Sequence, residues 1–459
     1  MRKSLWIVGA AALWAATAVA QPLSVPYTQL TLDNGLNVLI HEDHSIPVVS
    51  VNVWYHVGSG REKPGRTGFA HLFEHLLFEG SEHVPEGKFD QWLEAAGGDN
   101  NGSTDSDRTN YWENVPSNAL ELALFLESDR MGHLLAAMSE DKVDGQRDVV
   151  KNERRQSYEN RPYGMAFLTL GENLFPPDHP YHWPTIGSME DLSAASYQDV
   201  VDFFRAYYGP NNASLAIAGD VETERVEALV RKWFSDVPAG PPVPPLDPPP
   251  AVLLQEKRLL LEDRVQLPRL YVCWLSPSYY APGDAALDLL GSVLSDGKSS
   301  RLYHRLVYDE QIAQEVFAFQ SSSQLESTFC IIATAREGHD LKEVETAVQE
   351  ELDRIKTREP EAAEVGRAVA QAESSFLRGL EEVGGFGGKA DRLNAYQFYT
   401  GDPDYFGEDL ARYRAISPSD LSSAARRWLR DDARVVLSVV PEGRRDLAAS
   451  ESEEVRDDA

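Results

Sequence analysis

Two histidines and a glutamate in the stretch Gly68-Phe69-Ala70-His71-Leu72-Phe73-Glu74-His75-Leu76-Leu77-Phe78-Glu79-Gly80 carry the clearest chemistry in the chain. On a helix turning about 100° per residue, His71, Glu74 and His75 share one face. Histidines four apart have Cβ atoms roughly 5–6 Å from each other, so both imidazoles reach one ion. Glu74 then stands beside that ion without binding it, in the place of a general base acting on water activated by zinc. The order His-x-x-Glu-His reverses the commoner His-Glu-x-x-His and is one of the zinc-peptidase patterns. By themselves, Leu72, Phe73, Leu76, Leu77 and Phe78 would describe an ordinary amphipathic core helix, so the motif needs support from the rest of the chain.

A catalytic zinc site usually has three protein ligands, and this motif supplies two. The helical run Gln146-Arg147-Asp148-Val149-Val150-Lys151-Asn152-Glu153-Arg154-Arg155-Gln156 offers carboxylates at Asp148 and Glu153, with Glu159 beyond it. Spacing alone does not choose among the three. His56, His83, His133, His179 and His182 show no paired spacing that points to a second metal and are read as surface or core residues.

The elements that must position these groups fall into two halves. After the turn signal Asp33-Asn34-Gly35, Leu36 to His41 and Val48 to Val57 alternate as strands, as do Thr109 to Val115 and Ala213 to Ala218. Helical spacing marks Phe89 to Ala96, Leu120 to Met131, Lys142 to Tyr158, Ser196 to Tyr207 and Glu222 to Trp233. The proline-rich segment 238–252 then reads as a stiff extended linker. Beyond it the same grammar returns, with strands at Arg258 to Leu261, Arg269 to Leu275, Phe329 to Ala335 and Arg434 to Val440, and helices at Asp284 to Leu294, Leu341 to Ile355 and Glu361 to Leu377. The expected fold is α+β, two similar domains at 21–237 and 253–445, each an antiparallel or mixed sheet packed with helices. The helix corresponding to the motif helix, Ala286 to Leu294, has no histidine, so metal chemistry belongs to the first half only.

The chain of 459 residues is long enough for two cored domains. Its formal charge of −30 argues against nucleic acid or anionic membrane as a partner. Residues 1–20 read as a secretory signal: Arg2 and Lys3, then an apolar run, then Ala18-Val19-Ala20 as a cleavage site. No later stretch is long and apolar enough to span a membrane. The periplasm is the first expected location and secretion the second. Cys273 and Cys330, both in strand-like runs, fit one disulfide in an oxidising compartment or two buried thiols equally well. The acidic end, 446–459, reads as a solvated tail.

The order His71-Leu-Phe-Glu-His75, Gly97-Gly98, Asn101-Gly102-Ser103-Thr104, then Val149-Val150-Lys-Asn-Glu153-Arg154-Arg155 resembles the pitrilysin (M16) family of zinc metallopeptidases. Gly297-Lys298-Ser299-Ser300-Arg301-Leu302-Tyr303 is similar to the family's second domain, so the resemblance covers nearly the whole chain after the signal. It implies one zinc per chain held by His71, His75 and Glu153, with Glu74 as base. Asn101, Gly102, Ser103 and Thr104 match the family's edge strand, which takes substrate peptide by β-augmentation. The family often has a glutamate seven residues before the third ligand; here that position is Gln146, which brings no charge near the metal. Arg392 and Tyr399 match the family's oxyanion-stabilising pair from the second domain, with Tyr396 competing for the assignment. The resemblance thus implies an endopeptidase acting on peptides or unfolded segments, in a chamber made by two domains or two chains. A chain of this size is similar to half-size members that form homodimers or pair with a metal-less partner. The rival expectation is a catalytically weak peptide-binding or assembly subunit of such a pair.

Overall fold

The computed structural model describes residues 23–455; the expected signal at 1–20 and the last four residues lie outside the described residues. Twelve strands are described: β1 (Thr28–Thr31), β2 (Asn37–Glu42), β3 (Val48–Tyr55), β4 (Asp99–Thr104), β5 (Thr109–Pro116), β6 (Ala213–Gly219), β7 (Lys257–Asp263), β8 (Arg269–Ser276), β9 (Ala313–Ser321), β10 (Ser327–Ala335), β11 (Val435–Pro441) and β12 (Glu453–Glu454). They form two six-stranded mixed sheets, ordered β1-β2-β6-β3-β5-β4 and β12-β7-β11-β8-β10-β9. In each, the late strand inserts parallel to one early strand and antiparallel to the next: β6 between β2 and β3, β11 between β7 and β8. Five strands of each sheet share one wiring, the duplication expected from the order of elements; the outer strands differ, β1 running antiparallel to β2 and β12 parallel to β7.

Each sheet buries both faces, and the halves trade the helices that cover them. Val49, Val51, Val53 and Tyr55 of β3 face the first core, packed with Phe69, Leu72, Phe73 and Leu76. Strand alternation sends Asn52 and Trp54 to the opposite face. There the helix Lys389–Thr400, from the second half, lies across the sheet: its Asp391 carboxylate accepts from Trp54 Nε1 at 2.8 Å and Asn110 Nδ2 at 3.0 Å. Reciprocally, the first-half helix Ala166–Leu174 packs against Tyr271, Cys273, Val435, Leu437 and Val439 of the second sheet. The segment 238–252 is extended but fastened, with Arg61 donating to the Pro244 carbonyl and the Ala251 N–H to Glu326. No helix among the described residues is long and apolar enough to cross a membrane.

Three expectations change in detail. Cys273 and Cys330 stand directly opposite on β8 and β10 and form a disulfide. The acidic tail starts later than 446, because Ala448 and Ala449 are buried in the second core and Glu453–Glu454 pair with β7; backbone pairing overrides local charge there. The helical pattern from Lys142 to Tyr158 ends as a helix at Arg154, and the next turn, Arg155–Glu159, widens to a π-helix just past Glu153.

Asp107 fastens the halves where the β4–β5 turn meets the second sheet. Its carboxylate accepts from the Gln324 N–H at 2.8 Å and the Tyr399 hydroxyl at 3.2 Å, and it also contacts the Tyr181 hydroxyl. Burial, helped by nearby Asp105, pushes this acid up from 3.8 to about 6. The folded state thus prefers the neutral acid, and the stability this group contributes is complete below pH 3.8 and lost as pH rises through about 6. Asp107→Asn is expected to flatten that loss, worth roughly 2–3 kcal/mol, in urea melts compared with wild type at pH 4 and pH 7.

Candidate metal centre

The metal helix is short, so its surroundings must hold it. The helix α1 (Phe69–Leu76) has only eight residues, too few to be stable alone. Gly68, at φ +88°, turns the chain into it, and the free N–H groups of Gly68 and Ala70 donate to the buried Glu62 carboxylate at 2.9 and 2.8 Å. Burial nonetheless pushes Glu62 up to about 8. Below α1, the Tyr111 hydroxyl donates to the Phe73 carbonyl at 3.2 Å, and the Tyr111 ring lies 4.2 Å from the guanidinium of buried Arg130. Arg130 is paired with buried Glu113 and Glu127. Burial and the adjacent Glu127 push Glu113 well up, so the trio need not bury two full negative charges.

On the outer side of α1, the structure brings His71, His75 and Glu153 together. One donor atom from each lies within 4.8 Å of the others. Glu153 Oε2 is 3.7 Å from His71 Nε2 and 3.4 Å from His75 Nε2. Glu153 comes from the last turn of the helix Glu140–Arg154, which packs beside α1. Asp148 and Glu159, the other carboxylates open at the sequence level, are not in this group. Burial, reinforced by His75, lowers His71 to about 4, so its imidazole is neutral at physiological pH. The His75 hydrogen bond holds Glu153 low, and it stays ionised. Two imidazoles and one carboxylate at this spacing are a donor set that fits zinc.

Glu74 is left out of the donor group and is held elsewhere. The Thr104 hydroxyl donates to its Oε2 at 2.6 Å. Burial raises Glu74 above the ordinary carboxylate range, with the Thr104 hydrogen bond opposing. Thr104 belongs to β4, the edge strand of the first sheet, paired on one side only, with β5. Asn101, Gly102 and Ser103 precede it on that edge. A Cβ at Gly102 would stand 3.3 Å from Cγ of Glu74, so the missing side chain lets the strand lie against the base. The Ser103 carbonyl already accepts from Arg108 at 2.9 Å.

The remaining sequence candidates lie apart from this group. Gln146 donates to Glu79 Oε1 at 2.6 Å, anchoring the segment after α1. Arg392 and Tyr399 sit on the helix covering the far face of the first sheet. Arg392 donates to the Gly387 carbonyl at 2.9 Å and stacks on Phe376; Tyr399 donates to Asp107; Tyr396 donates to Asp409 at 2.7 Å. Within one chain, the sheet separates them from His71 and His75. The sequence reading missed Glu62, Asp107 and Arg130, since a lone charged residue in a loop or helix carries no periodic signal. Thr104 was read only as part of the edge strand, not as the partner of Glu74.

A duplicated mixed-sheet fold, with an inverted histidine motif, a carboxylate as third donor from a neighbouring helix and a glutamate held against an open strand edge, has the arrangement of the inverted-motif metallopeptidase class. Residues 37–175 match the Insulinase (Peptidase family M16) profile and residues 194–372 the Peptidase M16 inactive domain profile. The chain belongs to the M16 peptidase family. It is 28% identical to the zinc protease PqqE of Helicobacter pylori, over 92% of this chain and 94% of that one. A crystal structure of a protease from Helicobacter pylori superposes with a TM-score of 0.84 at 28% identity, covering 91% of this chain and all of that one. The periplasmic protease PqqL from Escherichia coli shares the fold at 18% identity and TM-score 0.74; 91% of this chain corresponds to 48% of that one. The second profile begins at residue 194, before the proline-rich segment, and so takes in β6 of the first sheet.

Glu153→Ala removes the only carboxylate of the donor group. Zinc content by mass spectrometry is expected to fall by about one equivalent per chain relative to wild type, with metal-free thermal stability little changed because the side chain is 40% exposed.

Proposed function

We propose that this protein is a zinc-dependent endopeptidase cleaving peptides or unstructured protein segments, with His71, His75 and Glu153 as ligands of one zinc ion. The observation that carries this reading is the division of labour among four side chains: three donors converge, and the fourth, Glu74, is held 2.6 Å from Thr104 on an open strand edge. When bound, zinc supplies Lewis acidity toward the peptide carbonyl and the attacking water. Glu74 takes the proton of that water and delivers it to the leaving amine, a role suited to a carboxylate raised by burial. Asn101 to Thr104 add the substrate as a further antiparallel strand, so main-chain hydrogen bonds set its register beside Glu74. Gln146 acts at one remove, through Glu79.

Arg392 and Tyr399, as stabilisers of the oxyanion, would serve the metal centre of a second chain, because the first sheet stands between them and their own. The active form in this reading is a homodimer, or a heterodimer with a metal-less relative, closed around the peptide. The signal-like residues 1–20 place it in the periplasm, or outside the cell.

Purified protein is expected to hold one zinc at the His71, His75 and Glu153 centre and to cleave a quenched peptide, while Glu74→Gln keeps that zinc and loses at least about 100-fold in kcat. Zinc retention in wild type with no cleavage across a broad peptide library would instead assign it to the weakly catalytic binding subunits.

Trans action has its own test. Glu74→Gln and Arg392→Ala chains, each of low activity alone, should regain a substantial part of wild-type turnover when mixed and allowed to exchange, because the mixed dimer holds one complete site. Mixtures no more active than their parts would leave Arg392 without a role across the dimer.

A further inference from the structure

Two histidines that the chain separates by fifty residues meet on the side of the molecule where the segment after α1 crosses the helix Leu120–Ala137. His83 lies in that segment and His133 in the last turns of the helix. Their rings meet edge to face with centroids 5.1 Å apart and planes at 81°, close to the relation of His71 and His75, at 4.9 Å and 85°. Glu82 completes the group, and one donor atom from each of Glu82, His83 and His133 lies within 4.8 Å of the others.

The surroundings hold these groups in place. Asp129, one turn before His133 and 3% exposed, accepts from His83 Nδ1 at 2.6 Å. Its other oxygen accepts from the His83 N–H at 3.1 Å and from the Ser81 hydroxyl. A carboxylate can only accept, so Nδ1 of His83 carries a hydrogen and Nε2 is the nitrogen left for a ligand, the backing that metal-binding histidines characteristically have. His133 Nδ1 pairs with Glu82 Oε2 at 2.8 Å, and the Glu82 N–H donates to the His133 carbonyl at 3.3 Å, which ties the segment to the helix. All three residues are exposed, so an ion there would complete its coordination with water.

We propose that Glu82, His83 and His133 form a second metal site, for a divalent ion of the zinc, copper or nickel class, with Asp129 orienting His83. Two imidazoles and one carboxylate select that class over calcium or magnesium, which take oxygen ligands. Bound there, the ion clips the segment following the catalytic helix to the helix Leu120–Ala137. Binding takes the place of the hydrogen bond between Glu82 and His133.

The test counts ions on the full-length protein. Wild type and a His83→Gln/His133→Gln variant are stripped with chelator, equilibrated with buffered zinc and analysed by mass spectrometry. Wild type is expected to hold one equivalent more than the variant. The difference decides the matter whatever the catalytic centre holds: two against one if that centre binds zinc, one against none if it does not. Equal counts overturn the proposal. Copper(II) electron paramagnetic resonance gives a second readout on chains whose catalytic-centre histidines are removed (His71→Ala/His75→Ala), compared with and without each single His83→Gln or His133→Gln change. The signal of an ion bound by two nitrogens should reduce to one nitrogen in each single variant, and an unchanged spectrum also overturns the proposal.

Discussion

The proposed function depends on holding two imidazoles and one charged carboxylate at a single point on the surface of a two-turn helix. The same few ångströms impose opposite demands on them. Burial strips His71 of its proton, a hydrogen bond from His75 keeps Glu153 charged, and burial pushes Glu74 toward the neutral form while Thr104 resists. Three acid–base groups thus sit at three different points on their titration curves because of their surroundings, the difference that the proposed division into ligands and base requires. The helix carrying them cannot impose this geometry alone, so a buried carboxylate holds its N-terminus and a buried cation under Tyr111 supports its inner face.

The exchange of covering helices makes the two halves one unit. A helix of the second half closes the far face of the metal-bearing sheet, and a helix of the first half closes the far face of the other. Neither sheet is fully covered without its neighbour, which would expose an apolar face if the halves were cut apart at the proline-rich segment. The same exchange puts Arg392 and Tyr399 behind the sheet rather than in front of it. Duplication produced two equivalent helices, but only α1 carries histidines; its counterpart Asp284–Ser295 is filled mostly with Ala, Leu and Val and serves the core.

Much of this was legible before any coordinates. The strands Val48–Tyr55 and Thr109–Pro116 and the helix Leu120–Ala137 follow from alternation and helical spacing, because their apolar residues recur with a period along the chain. The elements that escaped were those without a period to read. Among them are β9, where Phe317 and Phe319 face outward, and the helix Ala166–Leu174, which packs against the other half's sheet. The choice of Glu153 over Asp148 and Glu159 came from family resemblance, not from spacing.

The chain by itself determined the pair of imidazoles and the acid between them, since three residues on one helical face are a local matter of 100° steps. It also determined the duplication and the absence of histidine from the second motif helix. Only the tertiary structure decided which distant carboxylate joins the pair, that Thr104 grips Glu74, that Arg392 and Tyr399 lie beyond the sheet, and that His83 meets His133. Those are contacts between segments tens to hundreds of residues apart, set by how sheets and helices stack, and no periodicity along the chain encodes them.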